Sequence, residues 1–477
     1  MPNPLSRGLF NLFFGARRRA MEPLPGPTPG LLGTVGDFLG PQPWDVCARY
    51  GREYGGVTLI WMGPNPGLVL NDPALIEEVM ETRRLEFEKG NISDQVRPTV
   101  TNDTTFIALQ GDEWNEKRRQ DPLVQPWTAE WLAAQVGPMQ RAIDAAVDAL
   151  STATSLDLTP TLRRLTFDTF AHVTIGESLP DSAYEDFLLM ARGADARIQS
   201  KLPLRFVSLP KGFEQARERF YGLFERKVRE ARAAPDARRV DLMSWTLREL
   251  PDIPDRFLAH QLGTFFYGGV FSSSTTLVGA YHQLQKFPAV ETRLAAEAAA
   301  LGDRPLDFDR LRDAPWAEAV AYEAMRLLPA VRVFTRTPSQ DTKLAGVTLP
   351  AGAMIMISNQ HLHRDPAHWS APEVFDPSRW LDGGTARDPL GSGYFFPFGR
   401  GPRACSGGAF AVVYLQTALA TIAARARVHV DSTEPFEEGF FFGVVLPKGV
   451  TGRLVSRRPH AVRSPQEVRT TPAVESA

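Results

Sequence analysis

Cysteine is nearly missing from this chain: Cys47 and Cys405 are the only two among 477 residues. Two thiols so far apart exclude a disulfide framework, and a reducing, cytoplasmic setting is the expectation. Charge of one sign is not in excess. Lysine and arginine total 53 against 55 for aspartate and glutamate, a formal net charge of −2. Nothing in that balance argues for nucleic acid as a partner. The apolar cluster near the N-terminus is Leu9, Phe10, Leu12, Phe13 and Phe14. It falls far short of the roughly 20 residues that a membrane-spanning helix needs. Arg17, Arg18 and Arg19 follow it, the reverse of the charge order in a secretory leader. Two readings stay open for the arm, residues 1–22: an amphipathic anchor lying on a membrane surface, or a segment docked on the body. At most peripheral membrane contact is expected.

Hydrophobic residues make up 43% and charged residues 23%, the balance of a soluble globular protein. PLPGPTPG (Pro23 to Gly30) is a stiff, extended lead-in. GGVTLIWMGPNPGLVLN predicts two strands around a Gly-Pro-Asn-Pro-Gly turn. Helical patterns dominate from about Asp72 to Leu328. Strand signals return at VFTRTP, GVTLPAGAMIMIS and GFFFGVVLPKG. No fixed-period repeat appears, and no boundary splits two autonomous cores. Residues 458–477 have the composition of a disordered tail. The outline is a large helical body with a small β region.

The second cysteine lies in FPFGRGPRACSGGAF, Phe396 to Phe410. The helical pattern SGGAFAVVYLQTALATIAARARV begins directly after it. Cys405 is therefore expected at a helix N-terminus, where the dipole and free amide groups stabilise a thiolate. Gly401 and Gly407 permit tight turns and close backbone approach to a flat ligand. Arg403 can pair with a carboxylate of that ligand, and Phe398 offers an aromatic wall over the sulfur. No second cysteine lies near, which sets zinc aside. Together these features suit a haem held by an axial thiolate. The string Phe398-Gly399-Arg400-Gly401-Pro402-Arg403-Ala404-Cys405-Ser406-Gly407 resembles the cytochrome P450 pattern Phe-Gly-x-Gly-x-Arg-x-Cys-x-Gly at every fixed position.

Three further stretches follow in the order of that family. YEAMRLLP carries Glu323 and Arg326 three residues apart, on one helix face. FDPSRW resembles the segment Phe-x-Pro-x-Arg-Trp/Phe, which implies that Arg379 joins Glu323 and Arg326 in a buried structural triad. GDEWNEKRRQ resembles the Trp-x-x-x-Arg helix and implies that Trp114 and Arg118 hold a haem propionate. Arg336 in RVFTR stands where the family often places another propionate arginine. His363 in HLHRDP is a further candidate, with a structural role equally open. The resemblance spans roughly Pro23 to Arg457, one catalytic domain. It implies a mainly α fold, a triangular prism with small β-sheets, with haem b buried between a long central helix and the cysteine loop. It also implies a monooxygenase that places one atom of O2 in an organic substrate, with Cys405 as iron ligand. No flavin or iron–sulfur module fits in the remaining chain, so electrons should come from a separate ferredoxin or flavodoxin with its reductase.

The central helix departs from the family pattern Ala/Gly-Gly-x-Asp/Glu-Thr. It reads Gly268-Gly269-Val270-Phe271-Ser272. The glycine pair is expected to let the helix open where O2 would sit. Phe271 cannot relay a proton and is expected to shape the pocket roof. Ser272 can still hydrogen-bond, and Ser273, Ser274, Thr275 and Thr276 are further hydroxyl carriers. The missing acid keeps an alternative open: a haem-thiolate peroxygenase or isomerase acting on peroxide or hydroperoxide. Relatives that use peroxide tend to carry an arginine in this helix for a substrate carboxylate, and none stands between His260 and Gln285. A haem sensor is a third reading. By resemblance Phe265, Phe266, Val331, Val333, Phe334, Phe441, Phe442 and Val444 line the substrate chamber. They suggest an apolar, medium to large substrate: a lipid, terpenoid, steroid or polyketide.

Overall fold

The computed structural model describes residues 4–40, 42–89, 109–120, 127–200, 206–302, 304–381, 390, 392–441 and 443–457, with backbone alone at 117–120. Besides a helix at Pro288–Ala300, the longer helices are α1 Pro4–Ala20, α2 Pro43–Tyr54, α3 Gly111–Gln120, α4 Ala129–Leu150, α5 Leu158–Ile175, α6 Asp181–Gln199, α7 Phe213–Ala233, α8 Asp255–Lys286, α9 Pro315–Leu327 and α10 Gly408–Arg425. Their starts are written locally. Pro43 and Pro315 open α2 and α9, where a missing N–H costs nothing. Thr128 and Asp157 accept from the backbone N–H groups of Trp131 and Thr159, capping α4 and α5.

The strands are β1 Val57–Met62, β2 Asn65–Leu70, β3 Phe87–Glu88, β4 Leu156–Asp157, β5 Val333–Pro338, β6 Thr342–Leu344, β7 Val347–Leu349, β8 Ile355–Ser358, β9 Ala426–Val430, β10 Glu437–Phe441, β11 Val444–Lys448 and β12 Thr451–Ser456. A five-stranded sheet has the order β1-β2-β8-β5-β3, and the remaining strands form small sheets. The first hairpin is tighter than the sequence suggested. Its register runs from Val57 opposite Leu70 to Met62 opposite Asn65, so Pro66 and Gly67 belong to β2. Gly67 is needed there: a Cβ would lie 2.5 Å from the Met354 carbonyl oxygen, beside the β8 pairing.

The core is helical. α8 runs unbroken for 32 residues through the centre of the molecule and packs on α5 and α7. Gly268 and Gly269 therefore do not open it. Gly269 instead admits the Phe170 ring, which a Cβ would approach to 2.2 Å. Beneath it, α10 is mostly buried against α4 and α9. Among the described residues α10 is the one helix long and apolar enough to cross a membrane, yet 78% of it is buried inside the fold. The N-terminal arm forms a helix docked on the five-stranded sheet through Phe10, whose ring meets Trp61 edge-on at 5.1 Å. The tail 458–477 lies outside the described residues.

Candidate active site

α8 and the cysteine loop face each other across a cavity of about 240 Å³. The loop is held by its own backbone. Gly399 and Gly401 adopt φ of 72° and 67°, conformations that favour glycine. The Cys405 N–H donates to the Phe398 carbonyl at 2.7 Å, folding the loop back on itself. Cys405 sits three residues before α10 begins at Gly408, and it lines the cavity. A Cβ at Gly407 would meet the sulfur at 3.9 Å, an ordinary contact, so the sulfur itself does not require glycine there. Phe398 lines the cavity on this side, and Gly408 passes beneath its ring.

The α8 side is a helical stripe. Gln261, Thr264, Phe265, Gly268, Gly269, Ser272, Ser273 and Thr276 line the cavity, at the spacing of one face. The Ser272 hydroxyl donates to the carbonyls of Gly268 and Gly269 at 3.2 and 3.3 Å. Gly268 is open to the cavity, with no atom within 4 Å of a Cβ. Ser274 and Thr275 are buried away from it. Phe271 departs from expectation. It is buried on the far side of α8, stacked on Phe187 at 5.2 Å and against Phe441 at 5.2 Å. The Arg163 guanidinium lies 5.3 Å from its ring centre. A residue one step before Ser272 turns about 100° around the helix, so Phe271 does not roof the pocket.

The same geometry sorts the other chamber residues. Phe265, Val331, Phe334 and Val444 line the cavity. Phe266 packs in the core against Phe167 and Phe224 instead. Val333 does not line the cavity, because neighbours on a strand point to opposite faces. Phe441 packs on Phe271, and Phe442 lies outside the described residues. Trp127, Phe170 and Phe410, which the sequence did not single out, complete an aromatic end with Phe265, at ring separations of 4.9 to 5.6 Å. Their contacts join segments far apart in the chain, so no local pattern flags them. No charged or histidine side chain lines the cavity among the described residues.

Cations gather around the cavity rather than in it. Arg336 is 5% exposed, on the same face of β5 as Phe334. It donates to the Thr335 carbonyl, and no described carboxylate pairs with it. Burial lowers its pKa to about 10. A desolvated cation beside a cavity suits a ligand's acid group. Arg403 stacks 3.9 Å over the Trp114 ring and donates to the Leu109 carbonyl. The Arg118 side chain lies outside the described residues. His363 does not reach the cavity. It is fully buried, its Nε2 accepts from the Phe396 N–H at 3.1 Å, and burial pulls its pKa down to about 3. Its place is structural.

Glu323 and Arg326 are both 0% exposed and pair through two parallel bonds of 2.8 Å. Arg379 Nε donates to the same carboxylate at 3.1 Å. The Trp380 indole and the Asp376 backbone N–H also donate to it, partners that the motif alone did not reveal. Arg326 spends its remaining donors on the carbonyls of His363, Pro372 and Val374.

A model of the cytochrome P450 family matches residues 22–451. This chain belongs to the cytochrome P450 family. It is 28% identical over 392 residues to cyclooctatin synthase of Streptomyces melanosporofaciens, covering 79% of this chain and 83% of that protein. Cyclooctat-9-en-7-ol 5-monooxygenase of the same organism is 29% identical over 390 residues, with the same coverage. Pentalenene oxygenase of Streptomyces avermitilis is 27% identical over 419 residues, covering 85% of this chain and 91% of that protein. The chain is thus a P450 monooxygenase, an oxidoreductase of mainly α fold whose family implies a haem cofactor. The cavity fits such a group: the Cys405 sulfur lines it, Gly268 leaves room on the α8 side, and Arg336, a buried cation with no described carboxylate partner, shares a strand face with the lining residue Phe334.

Proposed function

We propose that this P450 oxidises an apolar, ring-containing hydrocarbon or alcohol of the terpenoid kind, with haem b as cofactor. The observation that carries the reading is the cavity wall. It is aromatic and aliphatic at one end, hydroxyl-bearing along α8, and free of charge among the described residues. A wall without ionic groups binds through apolar contact and leaves orientation to shape. The names pentalenene oxygenase and cyclooctat-9-en-7-ol 5-monooxygenase denote relatives acting on an alkene and an alkenol.

Cys405 would hold the iron, and Arg336 and Arg403, with Trp114, would hold the propionates. Bound haem supplies the redox chemistry with O2, and the thiolate adds electron density to it. The chain's own part is to exclude water and deliver protons. Phe398 and the aromatic end keep the site dry. Ser272 carries the hydroxyl at the family's threonine position, and Ser273 and Thr276 extend the row along the same face. Electrons come from a separate ferredoxin or flavodoxin with its reductase. A peroxygenase that grips a substrate carboxylate finds no cation in the described wall.

The test is turnover with a panel of cyclic terpenes under labelled O2, NAD(P)H and an added redox pair. Label in the product is expected. Product formed from peroxide alone, or without O2, would overturn the reading. Cys405→Ser should abolish the red-shifted Soret band of the reduced CO complex.

A further inference from the structure

α1 is apolar on two faces, and only one of them has a partner among the described residues. Phe10 and Phe14, one turn apart, face the sheet and Trp61. Leu5, Leu9, Leu12, Phe13 and Ala16 follow the spacing of a second face. That face points outward. Leu5 is 72% exposed, Leu12 76% and Phe13 66%. The loop beside it adds Leu32, 70% exposed, and Leu31, whose N–H donates to Ser6 of α1 at 2.6 Å. Arginines border the stripe: on a 100° helical wheel Arg19 falls next to Leu12 and Arg17 next to Phe13. The helix contains Arg7, Arg17, Arg18 and Arg19 and no acidic residue.

We propose that α1 and the Leu31–Leu32 loop dock this protein on the surface of an anionic lipid bilayer. The apolar stripe enters the acyl boundary and the flanking arginines meet the headgroups. An interfacial helix needs this combination of an apolar face and a cationic border. A second copy of the chain is a poorer occupant, because a symmetric pairing of this face would bring two arginine borders together without acids from α1 to offset them. Docking leaves the haem side of the fold untouched, since the opposite face of α1 stays packed on Trp61.

The experiment is flotation of the full-length holoenzyme with vesicles of phosphatidylglycerol and phosphatidylcholine, and with phosphatidylcholine alone. Binding to the anionic vesicles is expected, weakening with salt. Loss of each flanking arginine should lower partitioning about fivefold. Leu12→Glu together with Phe13→Glu should lower it at least tenfold while leaving the reduced CO spectrum unchanged. Since both side chains are exposed, the fold should tolerate the pair. A wild type that stays with the soluble fraction at low salt would overturn the proposal. So would equal binding by the double variant. A concentration-dependent dimer that Leu12→Glu dissolves would assign the face to a second copy instead.

Discussion

Glu323→Ala removes a buried carboxylate that accepts five hydrogen bonds in the core. Its carboxylate takes bonds from Arg326 Nε and Nη2 at 2.8 Å, Arg379 Nε at 3.1 Å, and the Trp380 indole and Asp376 backbone at 2.9 Å. Arg326 cannot escape to water, because it is fully buried and tied to three carbonyls. Breaking a buried ion pair costs about 3–5 kcal/mol. The stranded indole and amide donors each add about 1–3 kcal/mol if water cannot reach them. A net stability of about 5–15 kcal/mol leaves little after such a loss. The assay is haem bound per polypeptide, read from the reduced CO spectrum, with the urea midpoint of the soluble fraction. Most of the haem-loaded protein should be lost. The exposed Arg49–Glu53 pair at 3.9 Å is the comparator, and Glu53→Ala should change stability by about 0.5 kcal/mol or less. A Glu323→Ala protein with wild-type haem content and midpoint would refute the reasoning.

Other outcomes follow from the same geometry. Ser272→Ala should cut product per NAD(P)H by about 100-fold or more, the lower range for a lost proton-transfer group; product and peroxide measured together check this. Gly268→Ala should fold normally and change only substrate affinity, whereas Gly269→Ala drives a Cβ to 2.2 Å from the Phe170 ring and should cost about 1–3 kcal/mol; melting curves and binding spectra separate the two. Phe271→Ala should cost about 3–5 kcal/mol yet leave the substrate-binding spectrum in place, because the ring faces Phe187 and Arg163. Acid should destabilise the fold through His363, held down to about 3, and His260, held to about 4. The unfolded chain takes up these protons near pH 6.5 and the native one refuses them. Stability then falls from pH 6.5 downward by about 1.4 kcal/mol per unit for each histidine; urea midpoints at pH 7.5, 6 and 5 read the slope, and His363→Gln should reduce it by one histidine's share.

The legible part of the site was the part written in one short stretch. The Cys405 loop needs glycines at fixed places because Gly399 and Gly401 take positive φ, and a Cβ at Gly401 would lie 2.2 Å from the Met80 carbonyl oxygen. Such demands leave a local signature. Glu323 and Arg326 were legible for the same reason, being a turn apart on α9. Trp380 and Asp376, which complete their bonding, stand in the FDPSRW segment, but nothing in its pattern says that the indole and the backbone N–H turn to the Glu323 carboxylate.

What the sequence determined by itself was the family, the cysteine loop that lines the cavity, and the helical body with its small strands. Each follows from spacing along the chain, where periodicity and backbone constraint act within a few residues. Tertiary structure decided which side chains share the cavity. Phe265 and Phe266 are neighbours of the same type, yet one lines the site and the other packs against Phe167. Phe271 and Ser272 are neighbours too, and α8 turns one into the core and the other to the cavity. A helix rotates about 100° per residue and a strand alternates its faces, so the burial of any one aromatic depends on where its element docks. That docking is set by contacts between segments far apart in the chain, and composition cannot express it.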